Sequence, residues 1–413
     1  MKIKSKIINL LHWSERYTQT DMLYVAKGGF WLVIGKISIL LISFATMFAF
    51  GKWVPKEIFG KYQYILSTIA IIGIFTLPGI DAALIRAVAK GKEGMISLCA
   101  ITKMKWSLIG VFFSLAISSW YLLHGNSSLG ICFLIASFFF PFPRIFNLFS
   151  CFWQGKKRFD IQNKYLIIIN FFEALLFIPV LFLTDNLVLI ILFFFSSRII
   201  FRGIFFKITL QKIKNREKDK ETVSFGKHLT LMQTITLFAG QVDKIIIWQF
   251  LGPISVAIYS FAQLSVQEIP WIIPVSTLSL PKLSQKNFIE IKDGVFKKFL
   301  KLFLLSIPLF LIFIILAPIG YKIVFPNYIE ALPYAQVLAV SFIFLPFSLL
   351  NTSLTAAMKT KELYKIQFIT PIIKILLFLI LIPLYGIWGI ITSILAVQLI
   401  GALLTLYLFK KAI

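Results

Sequence analysis

Charge is scarce in this chain. Only 14% of its 413 residues are Asp, Glu, Lys or Arg, against about 25% in soluble domains. Acid is scarcer still, with 17 Asp and Glu against 42 Lys and Arg. The three cysteines, Cys99, Cys132 and Cys151, form no CxxC and lie in or beside apolar runs, which argues against a structural disulfide or a metal site. The three histidines, His12, His124 and His228, stand far apart without ligand spacing. Neither GxxxxGK(S/T) nor GxGxxG occurs, so no loop is built to cradle a nucleotide. Residues 1–27 are polar and basic and contain no uninterrupted apolar core of a secretory signal. The first long apolar run is therefore expected to direct its own insertion. The acidic loop pairs and long extracytoplasmic loop of a membrane glycosyltransferase or ligase are missing too, the outside loops such as His124–Ser128 and Thr184–Asn186 being short, and an enzyme is not expected.

What the chain has in excess is hydrocarbon. Hydrophobic residues make up 59%, with 44 Phe, and the mean hydropathy is +0.88. A soluble core of this composition would leave large apolar patches in water, and a disordered chain needs the opposite balance. At about 20 residues per span, the apolar runs predict twelve membrane helices. They fall near 28–50, 62–81, 104–123, 129–150, 165–183, 187–208, 226–250, 254–280, 299–320, 334–356, 366–384 and 388–409. The expected fold is all-α and integral to the membrane, with twelve transmembrane helices in two six-helix lobes.

The net charge of +25 would point a soluble protein towards nucleic acid. Here its placement decides otherwise. With Lys105, Lys207, Lys227 and Lys301 at the span ends counted to the loops they adjoin, thirty-two of the 42 Lys and Arg belong to the termini and alternate loops, four to the loops between them, and six lie deeper inside spans. The positive-inside rule then puts both termini in the cytoplasm, and no nucleic-acid partner is expected. The charged stretch around Lys212–Glu221 falls near the middle. It divides the chain into an N-terminal lobe (1–210), a cytoplasmic linker (211–225) and a C-terminal lobe (226–413). A weak internal repeat agrees, pairing Pro141 with Pro346, Gln162 with Gln367 and Tyr62 with Tyr259 in one order. Such parallel repeats are known among transporters.

An ionisable side chain inside a span costs roughly 2.5–3.5 kcal/mol and calls for a cavity or a partner. Span 1 carries Lys36, span 4 Arg144, span 5 Glu173 beside Asn170, and span 6 Arg198 and Arg202 one turn apart. Span 7 carries Asp243 and Lys244, span 8 Gln263, Gln267 and Glu268, and span 11 Lys374. Spans 3, 9 and 12 read as lipid-facing. Polar stripes usually serve as helix–helix contacts, but their spread over both halves favours a hydrated cavity. Among them Lys36, Arg144 and Lys374 are the leading cavity cations.

Four motifs bring in a family. They are Pro55–Tyr62 after span 1, Pro78–Arg86 at the end of span 2, Gln154–Phe159 between spans 4 and 5, and Gln241–Lys244 continuing to Phe250–Gly252 and Ile258–Tyr259. In these the chain resembles the multidrug/oligosaccharidyl-lipid/polysaccharide exporter superfamily, in its O-antigen flippase branch. The resemblance implies two lobes around a central cavity in a bacterial inner membrane. It implies transfer of an undecaprenyl-pyrophosphate-linked oligosaccharide to the outer leaflet, no cofactor, a polysaccharide polymerase as a partner, and H⁺ or Na⁺ as coupling ion. Substrate would meet Lys36, Arg144, Lys374, Arg86 and Arg198, and the coupling ion Glu173, Glu268, Asp81 or Asp243. A multidrug cation exporter of the same superfamily is the alternative, although its cavity should be acidic. The superfamily's lipid II flippases carry more spans than twelve. The charge split makes a testable statement about orientation: a cysteine placed at Asn215 should react only with reagent from the cytoplasmic side, and one at Asn126 only from outside. Labelling of Asn215→Cys by an impermeant maleimide added outside would reverse the topology.

Overall fold

The computed structural model describes residues 22–272, 288–357 and 359–411, and among them helices are the secondary structure, with no strand. The first half contains α1 (Met22–Trp53), α2 (Lys56–Ile72), α3 (Gly79–Ala89), α4 (Met95–Leu123), α5 (Ser127–Phe139), α6 (Pro141–Phe146), α7 (Leu148–Gly155), α8 (Phe159–Leu183) and α9 (Leu187–Gln211). The second half contains α10 (Lys220–Ala239), α11 (Val242–Ile272), α12 (Phe288–Val324), α13 (Leu332–Leu338), α14 (Phe347–Ala356) and α15 (Thr360–Lys411).

Among the described residues, nine helical stretches are long and apolar enough to cross a membrane, and the bent pair Pro326–Phe344 and Phe347–Ala356 makes a tenth. Two of them, Glu221–Gln267 and Lys361–Lys411, run to 47 and 51 residues. At 1.5 Å per residue each is about 70 Å long, twice what a hydrocarbon core of about 30 Å needs. The first is interrupted at Gly240–Gln241, between α10 and α11, and again at Gly252 (φ 77°), and the second is broken at Gly386 (φ 58°). Gly252 and Gly386 both take a left-handed conformation without a Cβ penalty. Counted as two passes each, they bring the total to twelve. Two other spans are interrupted by proline. Pro141 opens α6 within the 127–155 span, and Pro346 precedes α14 after the 3₁₀ stretch Ala339–Phe344. These are the prolines that the internal repeat pairs.

One expectation needs correcting. Span 3 does not read purely as a lipid-facing helix. Helix α4 begins earlier than its apolar run, and Lys103, Ser107, Gly110, Ser114, Ser118 and Tyr121 form a buried stripe along it. Ser114 and Ser118 donate to the carbonyls of Phe133 and Gly130 on α5 (3.1 and 2.7 Å). The opposite face, with Leu108, Phe112 and Trp120, is exposed as a lipid contact should be.

The chain forms two compact units. One comprises Met1–Met47, Gly73–Thr184 and Val188–Leu231, and the other Phe48–Ile72, Asp185–Leu187 and Met232–Ile413. In the first, the segment after α9 is held against the turn between α3 and α4. Lys92 pairs with Asp219 (2.9 Å), Asn215 donates to the Gly91 carbonyl (3.1 Å), and Glu93 accepts from the Lys214 amide (2.8 Å) and pairs with Lys156. Burial opposes ionisation of Glu93, but the bonds from Lys156 and Lys214 outweigh it and hold the carboxyl below its ordinary range.

In the second unit, the segment 48–72 comes from the first half of the sequence and packs with elements of the second half. Tyr64 stacks on Trp248 (centroids 4.4 Å apart), and Phe59 meets the Phe261–Tyr328 stack. Lys56 pairs with Glu330 (2.8 Å), and Asn327 donates to the Gly51 carbonyl (3.2 Å). A Cβ on Gly60 would run into the backbone carbonyl of Pro253. Main chain cannot swing aside as a side-chain tip can, so Gly60→Ala should cost about 1–3 kcal/mol of overpacking strain. Thermal unfolding of the purified variant should register that loss, and an unchanged midpoint would refute the close approach.

Candidate functional site

The charged residues inside the first unit gather into two clusters. The first starts where α2 ends. A 3₁₀ turn at Gly73–Thr76 and a left-handed Leu77 (φ 55°) lead into Pro78, and Asp81 follows in the first turn of α3. Acid at a helix N-terminus suits the helix dipole. Lys103 of α4, only 1% exposed, closes an ion pair with Asp81, whose side chain keeps 38% of its surface accessible. Arg144 follows the Pro141–Pro143 interruption of span 4. Its guanidinium lies where a Cβ on Gly73 would stand. Asp81 is close enough to act on its charge, yet Arg144 has no ion pair or hydrogen bond among the described residues. The arrangement is a cation held against a glycine turn, beside a carboxylate already taken by another cation.

The second cluster lies between α8 and α9. Glu173 is 7% exposed. It accepts from Arg202 Nε at 2.9 Å and stands 3.7 Å from Arg198 Nε. Arg198 also lies over the Phe194 ring, 3.7 Å from its centroid. Glu173 is thus not surrounded by apolar side chains alone: α9, the next helix, brings two guanidinium groups to it. Asn170, one turn below, donates to the Leu166 carbonyl of its own helix (2.7 Å) instead.

The second unit holds a third cluster. Asp243 is 1% exposed and accepts from the Tyr259 hydroxyl (2.7 Å), from Gln263 Nε2 (3.3 Å) and from the Lys244 amide (2.8 Å). Gln263 Nε2 also donates to the Tyr259 hydroxyl (2.8 Å). Lys244 Nζ donates to Gln63 of α2 (3.1 Å), and among the described residues no ion pair joins it to Asp243. Neighbouring residues on a helix point about 100° apart, and these two side chains take different partners.

The other expected residues are scattered. Arg86 is exposed on α3 with its guanidinium over the Phe225 ring (5.2 Å). Lys374 is half-buried on α15 with its ammonium over the Phe378 ring (5.2 Å). Lys36 is half-buried on α1, next to Gly35, which abuts the Asn163 side chain of α8. Glu268 lies on α11, but its side chain falls outside the described set. Lys103 was missed because it sits at the edge of its apolar run. The small polar stripe that continues from it up α4 was the available signal.

With this geometry described, comparison with known proteins identifies the family. The family model described as "Polysaccharide biosynthesis protein" matches residues 25–287, more than half of the chain. The chain belongs to that family. An uncharacterized membrane protein of Methanocaldococcus jannaschii is 22% identical over 411 residues, covering 88% of this chain and 79% of that protein. Among solved structures, the lipid II flippase MurJ in an inward closed conformation superposes with a TM-score of 0.71 at 17% identity, covering 93% of this chain and 87% of that one. An inward-facing multidrug resistance MATE transporter of the MOP superfamily gives 0.63 at 13% identity, covering 92% and 98%. A MOP superfamily transporter from Pyrococcus furiosus, whose binding pocket is described as of reverse polarity, gives 0.59 at 14% identity, covering 92% and 95%. These likenesses establish a two-lobed twelve-helix fold, which with the long apolar helices makes the chain a multi-pass membrane protein.

The contact of Gly73 with Arg144 is testable without deleting a charge. A methyl group at Gly73 meets only the tip of a flexible side chain, so Gly73→Ala should leave stability within about 1 kcal/mol while displacing the guanidinium. In a strain that depends on this chain for surface polysaccharide, Gly73→Ala and Arg144→Ala should then lower export alike. Full export by Gly73→Ala would separate Arg144's position from its role.

Proposed function

We propose that the chain is a flippase. It moves an undecaprenyl-pyrophosphate-linked oligosaccharide, such as an O-antigen repeat unit, from the cytoplasmic to the outer leaflet of the bacterial inner membrane by alternating access. Both of its termini are cytoplasmic in this reading, and a polysaccharide polymerase consumes the product. The observation that carries it is the sign of the charge left over inside the spans. Asp81 and Glu173 are each engaged by cations and Asp243 by neutral donors, whereas Arg144, Lys244 and Lys374 have no carboxylate pair among the described residues, so the surplus is cationic. A pyrophosphate crossing a hydrocarbon core needs fixed cations in place of its hydration, and an organic cation needs the reverse. Membership of a polysaccharide biosynthesis family supports the same choice.

Within this reading the coupling carboxylate is Asp243 rather than Glu173. A coupling ion can bias the cycle only by its differential affinity for two states. A carboxylate compensated by two guanidinium groups gains little from H⁺ or Na⁺. Asp243, held by a phenol and an amide without an ion pair, gains more. The second reading, a multidrug cation exporter, rests on the MATE likeness.

One experiment separates the two: complementation of a flippase-null strain alongside an ethidium-efflux assay. Restored surface polysaccharide is expected, with Arg144→Ala reducing it roughly tenfold or more and Arg144→Lys retaining part, since a point charge still serves. Ethidium efflux without restored polysaccharide would favour the exporter. In proteoliposomes under a pH or Na⁺ gradient, Asp243→Asn should abolish the gradient dependence of transport. Loss in Glu173→Gln alone would return the role to Glu173.

A further inference from the structure

The second unit carries a half-open pocket of about 400 Å³ beside the Asp243 cluster. Gln263 and Gln267 of α11, Ser341 of the 3₁₀ stretch before Pro346, and Gln398 of α15 line it, together with Val266, Leu338, Leu345 and Ile394. No charged residue is among them. The Gln398 side-chain oxygen is buried and has no hydrogen-bond partner among the described residues, an unusual state for a buried polar atom. The Gln263 nitrogen is committed to Asp243 and Tyr259, so the cavity abuts that cluster without sharing its charge.

The size and chemistry narrow the occupant. The volume falls in the range of small-molecule pockets, about 300–1,000 Å³, and is far too large for a dehydrated ion. A carboxamide both donates and accepts, which matches hydroxyl and acetamido groups, and aliphatic walls suit the C–H face of a sugar ring. Among the described residues the lining offers no counter-ion to a charged sugar, whose entry would carry a high desolvation cost. We propose that this cavity is a binding site for an uncharged glycosyl unit, recognised through the carboxamides of Gln267 and Gln398. The proposal rests on the flippase reading for its biological meaning. It assigns to that reading a neutral-sugar subsite in the second unit, apart from the cations of the first.

Ligand-observed saturation-transfer NMR on the full chain in phosphatidylethanolamine/phosphatidylglycerol nanodiscs tests it. The probes are maltose, N,N′-diacetylchitobiose and L-rhamnose, with D-glucuronate as the charged control. Saturable binding of at least one uncharged sugar is expected, with glucuronate at least about tenfold weaker. Gln267→Leu and Gln398→Leu should each weaken that binding by about tenfold, and Ile394→Trp, which fills the cavity, should abolish it. Thermal unfolding of each variant identifies any that fails to fold, and the remaining ones carry the comparison. Absence of binding by every uncharged sugar overturns the proposal, as does binding that all folded variants retain. Translocation of lipid-linked oligosaccharide by the wild-type chain, measured separately in proteoliposomes, judges the flippase reading. Its failure there would leave the sugar-binding result standing on its own.

Discussion

A hydrocarbon slab solvates neither a backbone amide nor a side-chain charge, and the architecture of this protein follows from how each is satisfied. Helices answer for the backbone, because every interior N–H and C=O then bonds within its own segment. Breaks in the helices are confined to residues that tolerate them. Gly252 and Gly386 reverse the chain between consecutive passes, and Pro141 and Pro346 interrupt spans 4 and 10. For charges, the answer is a partner on a neighbouring helix. Lys103 reaches Asp81 from α4 to α3, and Arg202 reaches Glu173 from α9 to α8.

That accounting separates structural charge from charge free to act on a ligand. A buried pair costs much to break, about 3–5 kcal/mol when one partner is removed, so the Glu173–Arg202 pair belongs to the frame that holds α8 and α9 together. Arg144 is different. The Pro141–Pro143 interruption and the missing side chain at Gly73 give its guanidinium room, while Asp81, the carboxylate acting on it, is already bonded to Lys103. A cation so placed retains electrostatic attraction for an anionic group.

The four motifs that link the chain to its superfamily do mostly structural work. Gly60 admits the Pro253 backbone, Gly79 admits the helix that carries Gly226 and Thr230, Gly155 packs on Ile85 and Val88, and Gly252 turns the chain. In this chain the glycines of the motifs secure helix crossings.

How much was legible in the residues follows from the range of each signal. Hydropathy is a local quantity summed over about 20 residues, so the all-α class and the twelve passes could be read from composition and spacing. The Asp243–Tyr259 relation was visible only as two halves of a motif. What could not be read were the partners. Nothing local to Glu173 announces Arg198 and Arg202, nothing near Lys103 announces Asp81, and Lys244 parts from Asp243 to reach Gln63, 181 residues away in the chain. A charge's role depends on which helix packs against it, and that is set by the close approaches at glycines and by aromatic packing such as Tyr64 on Trp248. By itself the sequence determined the membrane fold and the inventory of intramembrane charges. Tertiary structure alone decided which of those charges are neutralised, because pairing depends on which faces of neighbouring helices pack together, even for helices consecutive in the chain.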